Sequence, residues 1–143
     1  MNNSIEKLLA RSKYMTLATV SKDGKPWNVP ITFVYADGLL YWRSHVESTH
    51  SVNIEFNAAV SISIFDVNPV DDVQERQALY VQSNASKVSS DRQKELLEKF
   101  GDIFSIKDVQ APLYVAEVGI LDMTRSTDNR FYTTGSETAG EKQ

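Results

Sequence analysis

The chain predicts a mainly β (α+β) fold, a small six-stranded antiparallel barrel, closed or partly closed, with peripheral helices. Three observations carry this. Val60, Ile62 and Ile64 alternate with Ser61 and Ser63, and Val29, Ile31, Phe33 and Tyr35 recur at odd positions, which is the period of a half-buried strand. Asp23-Gly24 and Asp37-Gly38 supply the residues that tight hairpin turns need. With 143 residues and 41% apolar content, the chain can bury one core, so a single domain over residues 1–125 is expected, followed by a polar tail over 126–143.

The elements follow in order. Ser4 before Ile5, Leu8 and Leu9 predicts a capped, one-faced helix over 4–12. A strand spans Met15 to Ser21, a second begins at Trp27 and runs through Tyr35, and a third covers Leu39 to Trp42. Ser44-His45-Val46-Glu47 has the spacing of a capping box, so a short helix is expected there, with Val46, Val52 and Phe56 turned inward. After the Val60–Ile64 strand, residues 67–76 are polar and turn-rich and read as a loop; Asp71, Asp72 and Glu75 solubilise it. Gln77 to Lys87 is the fifth strand. Ser90 and Gln93 suggest another capping box, opening a helix that uses Leu96, Leu97 and Phe100 and stops at Gly101. Leu113 to Met123 is the sixth strand. Beyond Thr124 the tail has Phe131 and Tyr132 as its apolar anchors and reads as disordered or ordered by a partner.

Composition excludes several function classes. A net charge of −4 and no basic block argue against nucleic acid as partner. Without cysteine there is neither a disulfide framework nor a thiolate metal site, which suits a reducing cytoplasm. The N-terminus lacks a basic-then-apolar leader, and no apolar run approaches the ~18 residues of a membrane span, so a soluble, cytoplasmic protein is expected. His45 and His50 lie five apart, which does not place them on one helical face, so no zinc pair is expected. No Ser-His-Asp order, P-loop or Gly-rich dinucleotide fingerprint is present.

The stretch from Trp42 to Asn57 is the one that suggests chemistry. A strand ends in a hydroxyl-rich corner that opens a helix, and backbone N–H groups with the helix dipole make such a corner an anion site. Ser44, Ser48 and Thr49 also read as ordinary helix caps.

Taken together, Leu17-Ala18-Thr19-Val20, Asp23-Gly24-Lys25-Pro26, Val29 to Tyr35, Leu40-Tyr41-Trp42, the hydroxyl corner and the run Asn53 to Val60 resemble the pyridoxamine 5′-phosphate oxidase-like, FMN-binding split-barrel proteins, over roughly residues 3–123. The resemblance implies a Greek-key-like split barrel and a homodimer with FMN at its interface, or in some relatives a deazaflavin (F420). It implies a phosphate held at Ser44, Ser48, His50 and Asn53, with Thr49 beside them. His50 departs from the pattern, which prefers a Lys or Arg there; Arg43 is the candidate to supply that charge. The resemblance places Pro30, Ile31, Thr32 and Phe33 along the flavin ring and Gln77 and Gln82 near the ring or phosphate. The bland alternatives are a plain barrel strand with Pro30 at an edge, and solvent-facing glutamines. Trp27, Tyr41 and Trp42 read as core or interface aromatics or as stacking partners, and Arg125 and Arg130 as solvated charges or arms reaching a partner's site.

The activity implied is an FMN-dependent oxidoreductase acting on a small-molecule substrate or electron donor, the alternative being a non-catalytic FMN-binding or stress-related protein. The chain ends in Gly135-Ser136-Glu137-Thr138-Ala139-Gly140 and beyond, not in the arginine-rich signature of enzymes that oxidise a vitamin B6 phosphate. It also lacks the basic, histidine-bearing tail of haem-degrading relatives.

Overall fold

The computed structural model describes residues 2–66, 76–104 and 111–135. The expected loop over 67–76 lies almost wholly outside the described residues, as do residues 136–143 of the tail. Helix α1 (Asn3–Arg11) buries Ile5, Leu8 and Leu9, the one-faced spacing read from the sequence. Its cap is Asn2, whose side chain accepts from Ser4 N at 2.7 Å, and not Ser4.

Among the described residues nine strands follow where six were expected. They are β1 (Tyr14–Val20), β2 (Pro26–Thr32), β3 (Val34–Ala36), β4 (Leu39–Arg43), β5 (Ala59–Phe65), β6 (Ala78–Lys87), β7 (Leu113–Glu117), β8 (Ile120–Leu121) and β9 (Arg130–Thr134). The second expected strand breaks at Phe33, whose side chain is buried and whose N–H reaches Lys13 O at 3.1 Å. The sixth breaks at Gly119, where φ is +84° and a β-carbon would collide with the Thr134 carbonyl. The ninth comes from the tail.

Seven strands form one antiparallel path in the order β2-β1-β5-β6-β7-β4-β3. Its two end strands are separated in the chain by Phe33 alone, so the sheet curls back toward itself. Strand β6 belongs to both arms: residues 78–84 pair with β5 and residues 85–87 with β7. Along β1, Met15, Leu17 and Thr19 face inward, and along β5, Val60, Ile62 and Ile64 do so. They meet α1, Leu40, Trp42, Leu79 and Val81 in the main core. Helix α3 (Ser90–Phe100) covers the opposite face of β4 and β7, packing Leu96 and Phe100 against Tyr41, Leu113 and Val115. Strand β7 is therefore buried on both faces.

Two local readings change at α3. The expected Ser90–Gln93 box does not form: Ser89 is the cap position, and Gln93 instead donates to Val88 O and Leu113 O and accepts from Leu113 N, at 2.9–3.0 Å. Gly101 follows the helix in right-handed geometry and opens a single 3-10 turn, Gly101–Ile103.

The tail holds order that its composition concealed. Strand β9 pairs parallel with β6 over residues 78–82, Phe131 is 2% exposed, and Tyr80 stacks on Tyr132 at 5.0 Å. Phe131→Ala is expected to destabilise the fold by about 3–5 kcal/mol, read as a lower urea midpoint at unchanged slope; a midpoint equal to wild type would show that β9 adds nothing.

Candidate functional site

Helix α2 (Thr49–Phe56) links β4 to β5, which lie in opposite arms of the sheet. It begins later than the Ser44–Glu47 box predicts. Ser48 is the N-cap, with its Oγ accepting from Ser51 N at 3.4 Å. The helix is also turned over relative to expectation. Val46, Val52 and Phe56 are exposed, and the buried residues are His50, Ser51, Asn53 and Ile54. A helix that buries polar groups needs partners for them, and those partners make the site.

Ser44 is the first residue after β4 and is held by its N–H donating to Pro112 O at 3.1 Å. Its hydroxyl lies 2.7 Å from His50 Nε2, and the Ser48 hydroxyl lies 3.3 Å from the same nitrogen. Ser48 Oγ also reaches His45 O at 2.8 Å and Ser51 Oγ at 2.7 Å. One hydroxyl has one proton, so these last two are alternative donations. Ser51 is fully buried. Ser51 was missed in the sequence; the Ser48-x-x-Ser51 spacing, cap to third helical residue, is the signal that marks it. Tyr114 sits nearby, its phenol pushed up by burial and drawn back by the Ser51 side chain. Trp42 stacks on it at 6.1 Å.

His50 is 9% exposed, and burial lowers its pKa below the ordinary 6.5. It is therefore a neutral imidazole at pH 7, donating or accepting one hydrogen bond at Nε2 according to its tautomer. Thr49, the first helical residue, is exposed. The corner offers a ligand the exposed Thr49 hydroxyl, the backbone N–H groups of Thr49 and His50, and the Ser48 hydroxyl once its proton turns from His45 O or Ser51 Oγ, supported from beneath by Ser44, His50 and Ser51. This donor set suits an anion held by hydrogen bonds rather than by a fixed charge.

The other predicted residues are placed elsewhere. Arg43 donates from Nε to Ala111 O at 2.7 Å. The Asn53 side chain donates to Thr19 Oγ1 at 3.0 Å, tying α2 to β1. Pro30 lies opposite Thr16 on β2, at the edge of the path, where its missing N–H costs no ladder bond. Ile31 faces Met15, Thr32 faces Tyr14, and Phe33 is in the core. Gln77 accepts from Arg11 and donates its backbone N–H to Asp66, in a network where the Arg11 guanidinium lowers the Asp66 pKa. Gln82 donates to Ser61 Oγ across the β5–β6 pair. The structure thus brings Ser44, Ser48, Thr49 and His50 into one corner, keeps Arg43 and Asn53 beside it with their side chains tied to Ala111 O and Thr19, and places Pro30, Ile31, Thr32, Phe33, Gln77 and Gln82 elsewhere along the sheet.

The linkage at His50 has a definite sign. Its folded pKa is depressed, so its contribution to stability is complete above the unfolded value of about 6.5 and is lost as pH falls through the folded one. The thermal midpoint of the wild type should drop on acidification below that value, and His50→Gln should flatten this part of the profile; parallel profiles for the two proteins would remove His50 from the linkage.

Comparison with known proteins places this geometry. A family model described as pyridoxamine 5′-phosphate oxidase matches residues 1–122. No curated protein sequence matches the chain. Among solved structures, HutZ, the heme storage protein from Vibrio cholerae, is similar with a TM-score of 0.62 and 24% identity, covering 82% of this chain and 89% of that one. An FAD-binding protein from Mesorhizobium loti has a TM-score of 0.62 at 18% identity, covering 84% and 91%. An F420 reductase has a TM-score of 0.62 at 22% identity, covering 82% and 94%. At these identities the likeness is one of fold.

Proposed function

Because the chain belongs to the pyridoxamine 5′-phosphate oxidase family, we propose that it binds a flavin, FMN in the first instance, and serves as a flavin-dependent oxidoreductase. The observation that carries the reading is the hydroxyl and imidazole cluster under the first turn of α2, with the Ser44 hydroxyl 2.7 Å from His50 Nε2. Ser48, Thr49 and the first N–H groups of α2 would hold the phosphate. Pro30 and Ile31, on the edge strand β2, would run beside the ring. A bound flavin supplies hydride transfer at its N5. The chain's own part is to bind, to orient and to exclude water, which needs no acid–base pair.

The neutral His50 makes the phosphate grip one of hydrogen bonds, looser than a Lys or Arg would give. The F420 reductase that shares the fold makes a deazaflavin the second cofactor to test. The reading extends to a closed, Greek-key-like split barrel, a homodimer with the cofactor at its interface, and a cytoplasmic location. The exposed Trp27 (48%) and Phe65 (45%) favour a covering partner chain, and sedimentation equilibrium should return twice the chain mass.

Purified protein mixed with FMN and passed over a desalting column should retain the flavin's visible band. The Ser48→Ala, Thr49→Ala double variant should bind FMN more weakly by about 1–3 kcal/mol, the scale for hydrogen bonds to a charged group. Unchanged affinity in the folded variant would put the phosphate elsewhere. Retention of F420 in place of FMN would select the deazaflavin. Bound flavin that no nicotinamide donor reduces would leave a binding protein.

A further inference from the structure

A second concavity lies apart from the α2 corner, and no residue of that corner lines it. It encloses about 550 Å³ between α1, the start of β1 and the break between β2 and β3, a size typical of small-molecule sites. Phe33, at the break between β2 and β3, is one of its lining residues. Leu9, Phe33 and Val34 form buried apolar walls, and Tyr14 and Ile103 stand at the mouth with 61% and 57% exposure.

The polar content of the wall is specific. Tyr35 Oη donates to Glu6 Oε1 at 3.0 Å, which fixes the carboxylate in place and leaves its remaining lone pairs for another donor. Burial and the Glu6 carboxylate push the Tyr35 phenol up to about 12, so the phenol keeps its proton at neutral pH and stays a donor to Glu6. Lys13 also lines the cavity and is exposed, whereas the Glu6 carboxylate is half-buried and held by the Tyr35 hydroxyl. The charge held against the apolar wall is negative.

We propose that this cavity is a binding site for a compact amine, its ammonium on Glu6 and a ring-sized apolar body between Leu9, Phe33 and Tyr14. A charged donor to a positioned carboxylate gives orientation, and the apolar wall gives most of the affinity. Thr32 and Phe33, which the resemblance places along a flavin ring, also line this cavity; the test uses no flavin, so its failure is distinguishable from failure of the flavin reading.

Phenethylamine and phenylpropionate are probes with the same body and opposite charge. Titrated into the isotope-labelled full chain, phenethylamine should shift the amide signals of Tyr14, Thr32, Val34 and Tyr35 saturably, and phenylpropionate should bind at least roughly tenfold more weakly. Glu6→Gln should weaken phenethylamine by a similar factor and erase the preference between the probes. Ala10→Trp, a change at an exposed wall position of α1, should reduce binding of both. Absence of a saturable shift, equal binding of the two probes, or a Glu6→Gln variant with wild-type affinity in its folded state would each overturn the assignment.

Discussion

The hydrogen bonding of β6 holds this fold together. Residues 78–84 pair with β5, residues 78–82 with β9, and residues 85–87 with β7. Through β5 the strand carries β1 and β2, and through β7 it carries β4 and β3. Neither arm has another strand linking it to the other along this path. Connection α2 leaves the end of one arm and enters the other, so the position of its first turn follows from how β6 is shared.

That placement explains why α2 breaks the usual rule of amphipathic helices. Its inner side meets the end of β4, where Ser44 emerges, and the side of β7 that carries Tyr114, rather than a purely apolar floor. Ser51 and His50 are buried there with hydroxyl partners at 2.7 Å, and Asn53 reaches Thr19. A buried polar group without such partners would cost about 1–3 kcal/mol, so the cluster is held in one arrangement. The outer side keeps Val52 and Phe56 exposed, the latter under the Lys22 ammonium at 5.3 Å.

Strand periodicity was the most readable signal in the chain. Val60, Ile62 and Ile64 face the core as their alternation predicts, and both Asp-Gly pairs sit between antiparallel strands with Gly24 and Gly38 at positive φ. Breaks were less readable, since Phe33 looks like another strand residue and only its tertiary setting removes it from the ladder. The orientation of α2 was unreadable from apolar spacing, because its buried His50, Ser51 and Asn53 take polar partners, Ser44 and Ser48 close in the chain and Thr19 on β1. Capping rules erred by locality. Ser44 and Glu47 satisfy the box on paper, while Ser48 and Ser51 occupy it in the fold. In the candidate site, the hydroxyl corner of Ser44, Ser48 and Thr49 stands out from type and spacing and His50 enters through the family resemblance, whereas the ties of Arg43 to Ala111 and of Gln77 to Arg11 depend on long-range packing.

Strand β9 has a consequence for the order in which the molecule is made. Its partner β6 precedes it by about fifty positions of chain (Ala78 opposite Arg130), and Phe131 fills a place in the main core. While the protein is being synthesised, the β6 edge and that hollow stay open until Phe131 has cleared the ribosome. During that interval the nascent chain presents an unpaired strand edge beside an apolar cleft, the combination that invites wrong partners. Final consolidation of the core is therefore a late event, and the vulnerable period lengthens whenever translation slows between Lys87 and Phe131.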